Sequence, residues 1–284
     1  MTSKIIEPIV QQYNENNWEF IYPSSIDNEK ISDEFWHAVK LLDNDDQMAE
    51  KVFKKLITKH PYYIDAYNHL SISFRNQGKK FESFLTAEKS FNLGKNCLPK
   101  SFNLKKDKLP WSNINNRPFL RACQSFGLEC QYHQNYSQAI EIYKLNLALN
   151  ENDNQGIRYL LLETLFAAKD YKQAQQLLNK YSDDFSIEFK FGLVAISILQ
   201  DNYKRADKYL EEAIQTNKFF IEEVIKDRHL KPSPFRIPGM PNFDAGIPDR
   251  SIQQAFEYWE RNKQLYKTNK IIDYIKARQK LTLK

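Results

Sequence analysis

Cys123, Cys130 and His133 lie in "RACQSFGLECQYHQ" at offsets of seven and three, so two thiols and an imidazole can share one side of a helix. Thiolate and imidazole are donors that zinc accepts, which makes this the best metal constellation in the chain. Four-ligand zinc sites use paired short spacings, however, and these are absent here. His37, His60, His69 and His229 are scattered and belong to no zincin-like or triad-like string, and neither a Walker sequence nor a dinucleotide fingerprint occurs. The expectation is no metal, no cofactor and no catalysis, with Cys123, Cys130 and His133 kept as a third reading.

A second chemistry is electrostatic. The stretch "KNCLPKSFNLKKDKLPW", residues 95–111, carries Lys95, Lys100, Lys105, Lys106 and Lys108 against Asp107. Clustered cations neutralise phosphates and nearby aromatics stack bases, so Lys100, Lys105, Lys106 and Lys108 are candidate nucleic-acid contacts. The tail "IIDYIKARQKLTLK" is also basic. A merely solvated loop has the same composition, so both readings stay open.

The elements that must position such groups are expected to be helices. The 284 residues are 42% hydrophobic, enough for a substantial core, and seven Gly beside 16 Tyr and 19 Phe argue against turn-dense sheets. The net charge of +5, from 41 basic and 36 acidic residues, is too small to imply nucleic acid for the whole molecule. Three cysteines without close spacing make no disulfide framework, and "MTSKIIEPIVQQYNENN" lacks the apolar core of a secretory signal. A reducing, cytoplasmic location is expected, with export by a non-classical route left open. The run "FGLVAISIL" at 191–199 is about half of the roughly 20 residues a spanning helix needs, so no membrane span is expected.

Repetition organises the chain. "HQNYSQAIEIYKLNLAL", "AKDYKQAQQLLNKY" and "QDNYKRADKYLEEAI" align on an aromatic three residues before Ala139, Ala174 and Ala206, which are spaced 35 and 32 apart. Ala49 and Ser83 hold the same small position upstream, 34 apart; the 56 residues from Ser83 to Ala139 equal one such repeat plus an insert of 22. Each of these helices follows another apolar-periodic segment, such as "AYNHLSISFRNQG" or "GIRYLLLETLFAAK". The pattern resembles the tetratricopeptide repeat (TPR), in which helices A and B form a hairpin; Cys123 and Cys130 then fall on the buried side of a helix A as small apolar residues. The resemblance implies an all-α, right-handed solenoid of about five hairpins, capped at both ends.

The boundaries follow: an N-terminal cap at 1–29, containing Trp18, Phe20, Tyr22 and Pro23; repeats one and two at 30–94; the basic insert at 95–117; repeats three to five and a further helix at 118–230. Pro232, Pro234, Pro238, Pro241 and Pro248 make 231–250 a non-helical loop that Phe235 and Phe243 should help to pack, before C-terminal helices at 251–284.

Two strings, "NNRPFLRA" and "NDNQGIRYLL", open successive A helices with asparagine followed by arginine. Asp153 or Asn154 is expected to cap the second helix, with Gly156 in its first turn. Arg121 and Arg158 near helix starts oppose the helix dipole, so each calls for a carboxylate or a ligand. Together the strings resemble bacterial TPR proteins of the suppressor-of-tumorigenicity-seven-like group over about residues 111–180, a resemblance that implies a repeat scaffold.

A binding function on the inner, helix-A face is the leading expectation. From the repeat register, Asn68, Arg75, Arg121, Gln124, Gln131, Tyr132, Arg158, Tyr159, Glu163 and Phe191 are the candidate contacts for a peptide or protein partner. The carboxylate clamp of chaperone-binding TPR domains maps onto Glu34, Ala38, His69, Arg121 and Ser125, which breaks that family pattern at four of five places. The sequence does not fix the oligomeric state.

Overall fold

In the short segments "IVQQ" and "WEFI" apolar residues are set among polar ones, and they pair as an antiparallel ribbon, β1 (Ile9–Gln12) with β2 (Trp18–Ile21). The register sets Val10 opposite Phe20 and Gln12 opposite Trp18. This ribbon adds strand to the N-terminal cap of a chain expected to be all-α. Phe20 is fully buried, and Asn116 serves its outer edge: the Asn116 side chain accepts from the Phe20 N–H at 3.1 Å and donates to the Trp18 carbonyl at 3.0 Å. The computed structural model describes residues 6–236 and 246–282, with 279–282 as backbone alone. Pro238, Pro241 and Phe243 therefore lie outside the described residues.

Thirteen helices follow among the described residues: α1 (Glu29–Leu41), α2 (Asp46–Lys59), α3 (Ile64–Asn76), α4 (Lys80–Asn96), α5 (Arg117–Tyr132), α6 (Tyr136–Leu149), α7 (Ile157–Ala167), α8 (Tyr171–Lys180), α9 (Ile187–Leu199), α10 (Tyr203–Thr216), α11 (Phe219–Ile225), α12 (Ile252–Tyr266) and α13 (Asn269–Thr282). The expected hairpin pairing is observed for α1 with α2, α3 with α4, α5 with α6 and α9 with α10. Starts are set locally. Asn28, Asp45, Asp170, Ser186, Asn202 and Ser251 each accept from the backbone N–H three residues on, satisfying one of the amides that a helix start leaves free.

Four hairpins turn in the same way, and only one turn shows glycine. Gly78, Gln134, Lys169 and Asp201 all have positive φ, and the N–H of the following residue bonds back to Phe74, Cys130, Leu165 and Ser197 respectively. This is the αL ending that closes a helix by satisfying its last carbonyls. The three non-glycine residues carry a left-handed strain of roughly 1 kcal/mol each.

The recurring small residues sit where helices B and A cross. Ala49, Ser83, Ala139, Ala174 and Ala206 are fully buried, and Gly127 on α5 lies under the Tyr143 ring of α6, where a Cβ would overlap that ring. Two compact units result, Met1–Leu161 and Leu162–Lys284, the division falling inside α7. The first is built on Phe35, Phe53 and Leu70 of the early hairpins and on a ring cluster of Phe91, Phe119 and Phe126. In the second, α12 and α13 pack on α9 and α11, around Phe191, Phe220, Tyr258 and Tyr266. Its proline-bearing stretch is non-helical up to Arg236, where Phe235 is 40% exposed.

Candidate functional site

The insert between α4 and α5 is shorter than the sequence suggests, because α4 runs on through Lys95 and α5 begins at Arg117. It is tied to the ribbon. Lys108 exchanges backbone hydrogen bonds with Asn16 and Trp18, while its ammonium donates to the Ala148 carbonyl at 2.9 Å and pairs with Glu151. Phe102 packs on Trp18 at 5.3 Å between ring centroids. Lys100, Lys105 and Lys106 remain exposed, so Lys108 differs from the other three candidates in holding the fold together.

The insert ends in a 3₁₀ turn, Ile114–Asn116, that leads directly into α5 with Pro118 in its first turn. Trp111 lies in front of it. Arg117 donates to the Trp111 carbonyl at 2.9 Å and stands over its ring at 5.2 Å, and Arg121 approaches the same ring at 5.9 Å. Arg121 also grips Asp65 at the start of α3 through two nitrogens, one at 3.0 Å. Near the other ends of the same two helices, Arg75 grips Glu129 likewise, and the Ser83 hydroxyl donates to that carboxylate at 2.6 Å. Asp65 and Glu129 are 5% exposed. The partner called for by Arg121 is therefore a carboxylate of the neighbouring A helix.

A cleft of about 570 Å³ lies in the first unit, bounded by the segment that follows the ribbon, α1, the start of α3, the 3₁₀ turn and the start of α5. Its floor is aromatic: Tyr22, Phe35 and Tyr63, with Phe35 and Tyr63 at 5.3 Å. Its rim carries Trp36, 53% exposed, and Ile114, 67% exposed. Burial pushes the phenols of Tyr22 and Tyr63 above their ordinary range, and the nearby Asp65 charge adds to both shifts. The Tyr22 hydroxyl is enclosed and has no hydrogen-bond partner among the described residues.

Of the ten candidate contacts, Arg121 alone lines this cleft. Asn68 is 1% exposed; it donates to the Pro118 carbonyl at 2.9 Å and accepts from Ser90, so it is a joint between helices. Gln124 accepts from Gln155 at 2.8 Å and Gln131 accepts from the Tyr143 hydroxyl at 3.1 Å. Tyr132 is 60% exposed, with the Arg75 guanidinium over its face at 4.6 Å. Asp153 caps α7 by accepting from the N–H groups of Ile157 and Arg158, and it pairs with the Arg158 guanidinium at 2.8 Å; that guanidinium stacks on Tyr159 at 4.3 Å. Gly156, at positive φ, precedes the helix and is not part of its first turn.

In the second unit Phe191 is fully buried against Phe220, and Glu163 is held by Arg261 at 2.8 Å. Arg261 reaches Glu188 at 2.9 Å as well, where burial raises the Glu188 carboxyl. Phe191 is a core residue, which corrects its placement on a ligand face. The clamp positions are occupied otherwise too: Glu34 pairs with Lys55, Ala38 is buried, and His69 packs edge-on against Phe35. Cys123 and Cys130 are buried, which pushes both thiols up, Cys130 to about 12, and the His133 ring lies edge-on to Phe84. No group of three metal-ligating side chains occurs among the described residues.

Trp36 and Ile114 were not singled out by the repeat register. The helical period does carry the signal for Trp36: with Phe35 and Ala38 turned inward, the intervening residue projects outward. Ile114 depends on the 3₁₀ turn, which no periodicity announces.

A family model described as "Transcriptional repressor TCF25" matches residues 18–284. The matching family is thus not the bacterial suppressor-of-tumorigenicity-seven-like group that the asparagine–arginine strings resemble. No curated protein matches the chain in sequence. Among solved structures, a tetratricopeptide repeat protein from Parabacteroides merdae is 15% identical with a TM-score of 0.51, covering 89% of this chain and 98% of its own. MamA, residues 41 to the end, from Desulfovibrio magneticus RS-1 is 14% identical with a TM-score of 0.51, over 66% of this chain and 95% of its own. At such identities the likeness establishes a TPR-like fold alone. No helix among the described residues is long and apolar enough to cross a membrane.

Proposed function

The chain belongs to the family described as transcriptional repressor TCF25, and from that membership we propose that it is a non-catalytic protein-binding scaffold serving repression of transcription. The cleft at the start of its A helices takes a segment of the partner. One observation carries this: a large solvent-facing Trp36 and Ile114 stand over an aromatic floor of Tyr22, Phe35 and Tyr63. Isolated exposed apolar residues are ordinary, but a concave apolar site with a few convergent polar groups is the form of a recognition site. The braces Asp65–Arg121 and Glu129–Arg75 support the same reading, because they fix two A helices, α3 and α5, in place before a partner arrives and so lower the ordering cost of binding. The three free cysteines suit a reducing compartment such as the cytoplasm.

The test is affinity capture from extract with the wild-type chain and with a Trp36→Ala, Ile114→Ser variant whose helical dichroism and unfolding midpoint match wild type. Specific partners retained by the wild type should be lost by the variant. Equal capture by both would refute the cleft as the binding site.

A second reading rests on the exposed Lys100, Lys105 and Lys106 beside the family's description: contact with nucleic acid through the insert. It predicts retention on RNA or DNA at low salt that falls as salt rises and is lost in Lys100→Gln, Lys105→Gln, Lys106→Gln. Lys108 is left intact in that variant because its ammonium supports the fold.

A further inference from the structure

The chemistry of the cleft narrows what its occupant presents. Resting on the scaffold reading above, we propose that the cleft binds a basic side chain, an arginine or lysine of a partner polypeptide, between the Trp36 face and the carboxylates of Asp27 and Glu29.

Charge on the rim is the first argument. Asp27 and Glu29 both line the cleft and both are exposed, and neither forms an ion pair among the described residues. An acid at a helix start is favoured by the helix dipole, and this accounts for Glu29 in the first turn of α1. It does not account for Asp27, which precedes the Asn28 cap and lies outside the helix. The two cations lining the same cleft are already engaged: Arg121 by Asp65, and Arg117 by the carbonyl and ring of Trp111. Three carboxylates, Asp27, Glu29 and Asp65, against the two guanidiniums leave the lining with one net negative charge, and its unpaired carboxylates lie on the side where α1 begins.

Shape and π-surface are the second. Trp36 is braced edge-on by Phe35 at 5.1 Å while more than half of its surface stays in solvent, and Phe35 in turn contacts the Tyr63 ring. A rigid, exposed indole beside unpaired carboxylates is the pairing that holds a cationic head while its methylene stem covers aromatic surface. A guanidinium, with five N–H groups, or an ammonium, with three, can donate to these carboxylates, whereas an anionic group would meet the charges of Asp27, Glu29 and Asp65.

The experiment uses the full chain labelled with ¹⁵N-tryptophan, the indole of Trp36 assigned by Trp36→Phe. The probes are blocked pentapeptides Ala-Leu-X-Leu-Ala with arginine, lysine, glutamate or norleucine at X. Arginine and lysine peptides should shift the Trp36 indole and leave that of Trp259 in place, binding about tenfold or more tighter than the glutamate and norleucine peptides. Asp27→Asn with Glu29→Gln should remove that advantage, and rising salt should weaken it. The idea is overturned if norleucine binds as well as arginine, if glutamate binds better and depends on Arg117, or if no peptide moves Trp36. Should the Trp36→Ala, Ile114→Ser variant still lose partner capture in those cases, the scaffold reading survives and only the basic anchor fails; if it captures as wild type does, both claims fall.

Discussion

Arg75 offers the sharpest choice between a ligand contact and a structural brace. Its guanidinium grips the Glu129 carboxylate through two nitrogens, and Glu129 is 5% exposed with the Ser83 hydroxyl as its other side-chain donor. Replacing Arg75 by methionine keeps the stem and removes the charge, leaving a buried anion that only a hydroxyl serves. Breaking a buried pair from one side costs roughly 3–5 kcal/mol. Because the Arg75 side chain is 24% exposed, water screens part of the interaction, and a loss of about 2–4 kcal/mol is the reasoned value. Glu129→Gln in the same background removes the stranded charge, so the double variant should recover about 2 kcal/mol of that loss. Urea unfolding followed by far-ultraviolet dichroism measures all four corners of the cycle. If Arg75→Met lies within about 0.5 kcal/mol of wild type, as a free surface side chain would, the bracing argument is refuted.

Further outcomes follow from single features. Gln134→Gly and Lys169→Gly relieve left-handed strain at two hairpin turns and should each raise stability by about 0.5 kcal/mol, the gain being reduced by the extra freedom glycine has when unfolded; a loss in thermal midpoint would contradict the assigned turns. Gly127→Ala thrusts a methyl into the Tyr143 ring and should cost about 1–3 kcal/mol, read as a lower thermal midpoint. Burial pushes the Glu50 carboxyl up, but hydrogen bonds from Lys54, Lys79 and Gln77 outweigh it and hold it at about 2. A depressed carboxyl stabilises the fold above its unfolded pKa and ceases to as pH falls through the folded value. Glu50→Gln should therefore be less stable than wild type by about 1–2 kcal/mol at neutral pH, with the gap closing between about pH 4.5 and pH 2.

The fold was legible where one residue type repeats for one reason. Ala49, Ser83, Ala139, Ala174 and Ala206 recur because a crossing leaves no room for a larger side chain, and spacing alone exposes that. Hairpin ends were less legible: Gln134, Lys169 and Asp201 take the conformation for which glycine is the usual signal. The ribbon was hidden because its second edge is completed by Asn116, about a hundred residues away, a contact no local pattern reports. For the site, the helix-start argument marked Arg121 and Arg158 as arginines needing a carboxylate or a ligand, and Asp65 and Asp153 supply carboxylates from within the chain. Phe191 was misplaced because α9 is apolar nearly all round, so its periodicity gives no direction for the buried face.

The most direct test of the scaffold account is site-specific photo-crosslinking in extract, with a benzophenone amino acid placed at Trp36, at Ile114, or at Phe185, an exposed apolar residue of the second unit. The account predicts a shared partner adduct from positions 36 and 114 that is absent from position 185. Adducts of equal yield at all three, or at position 185 alone, would contradict it.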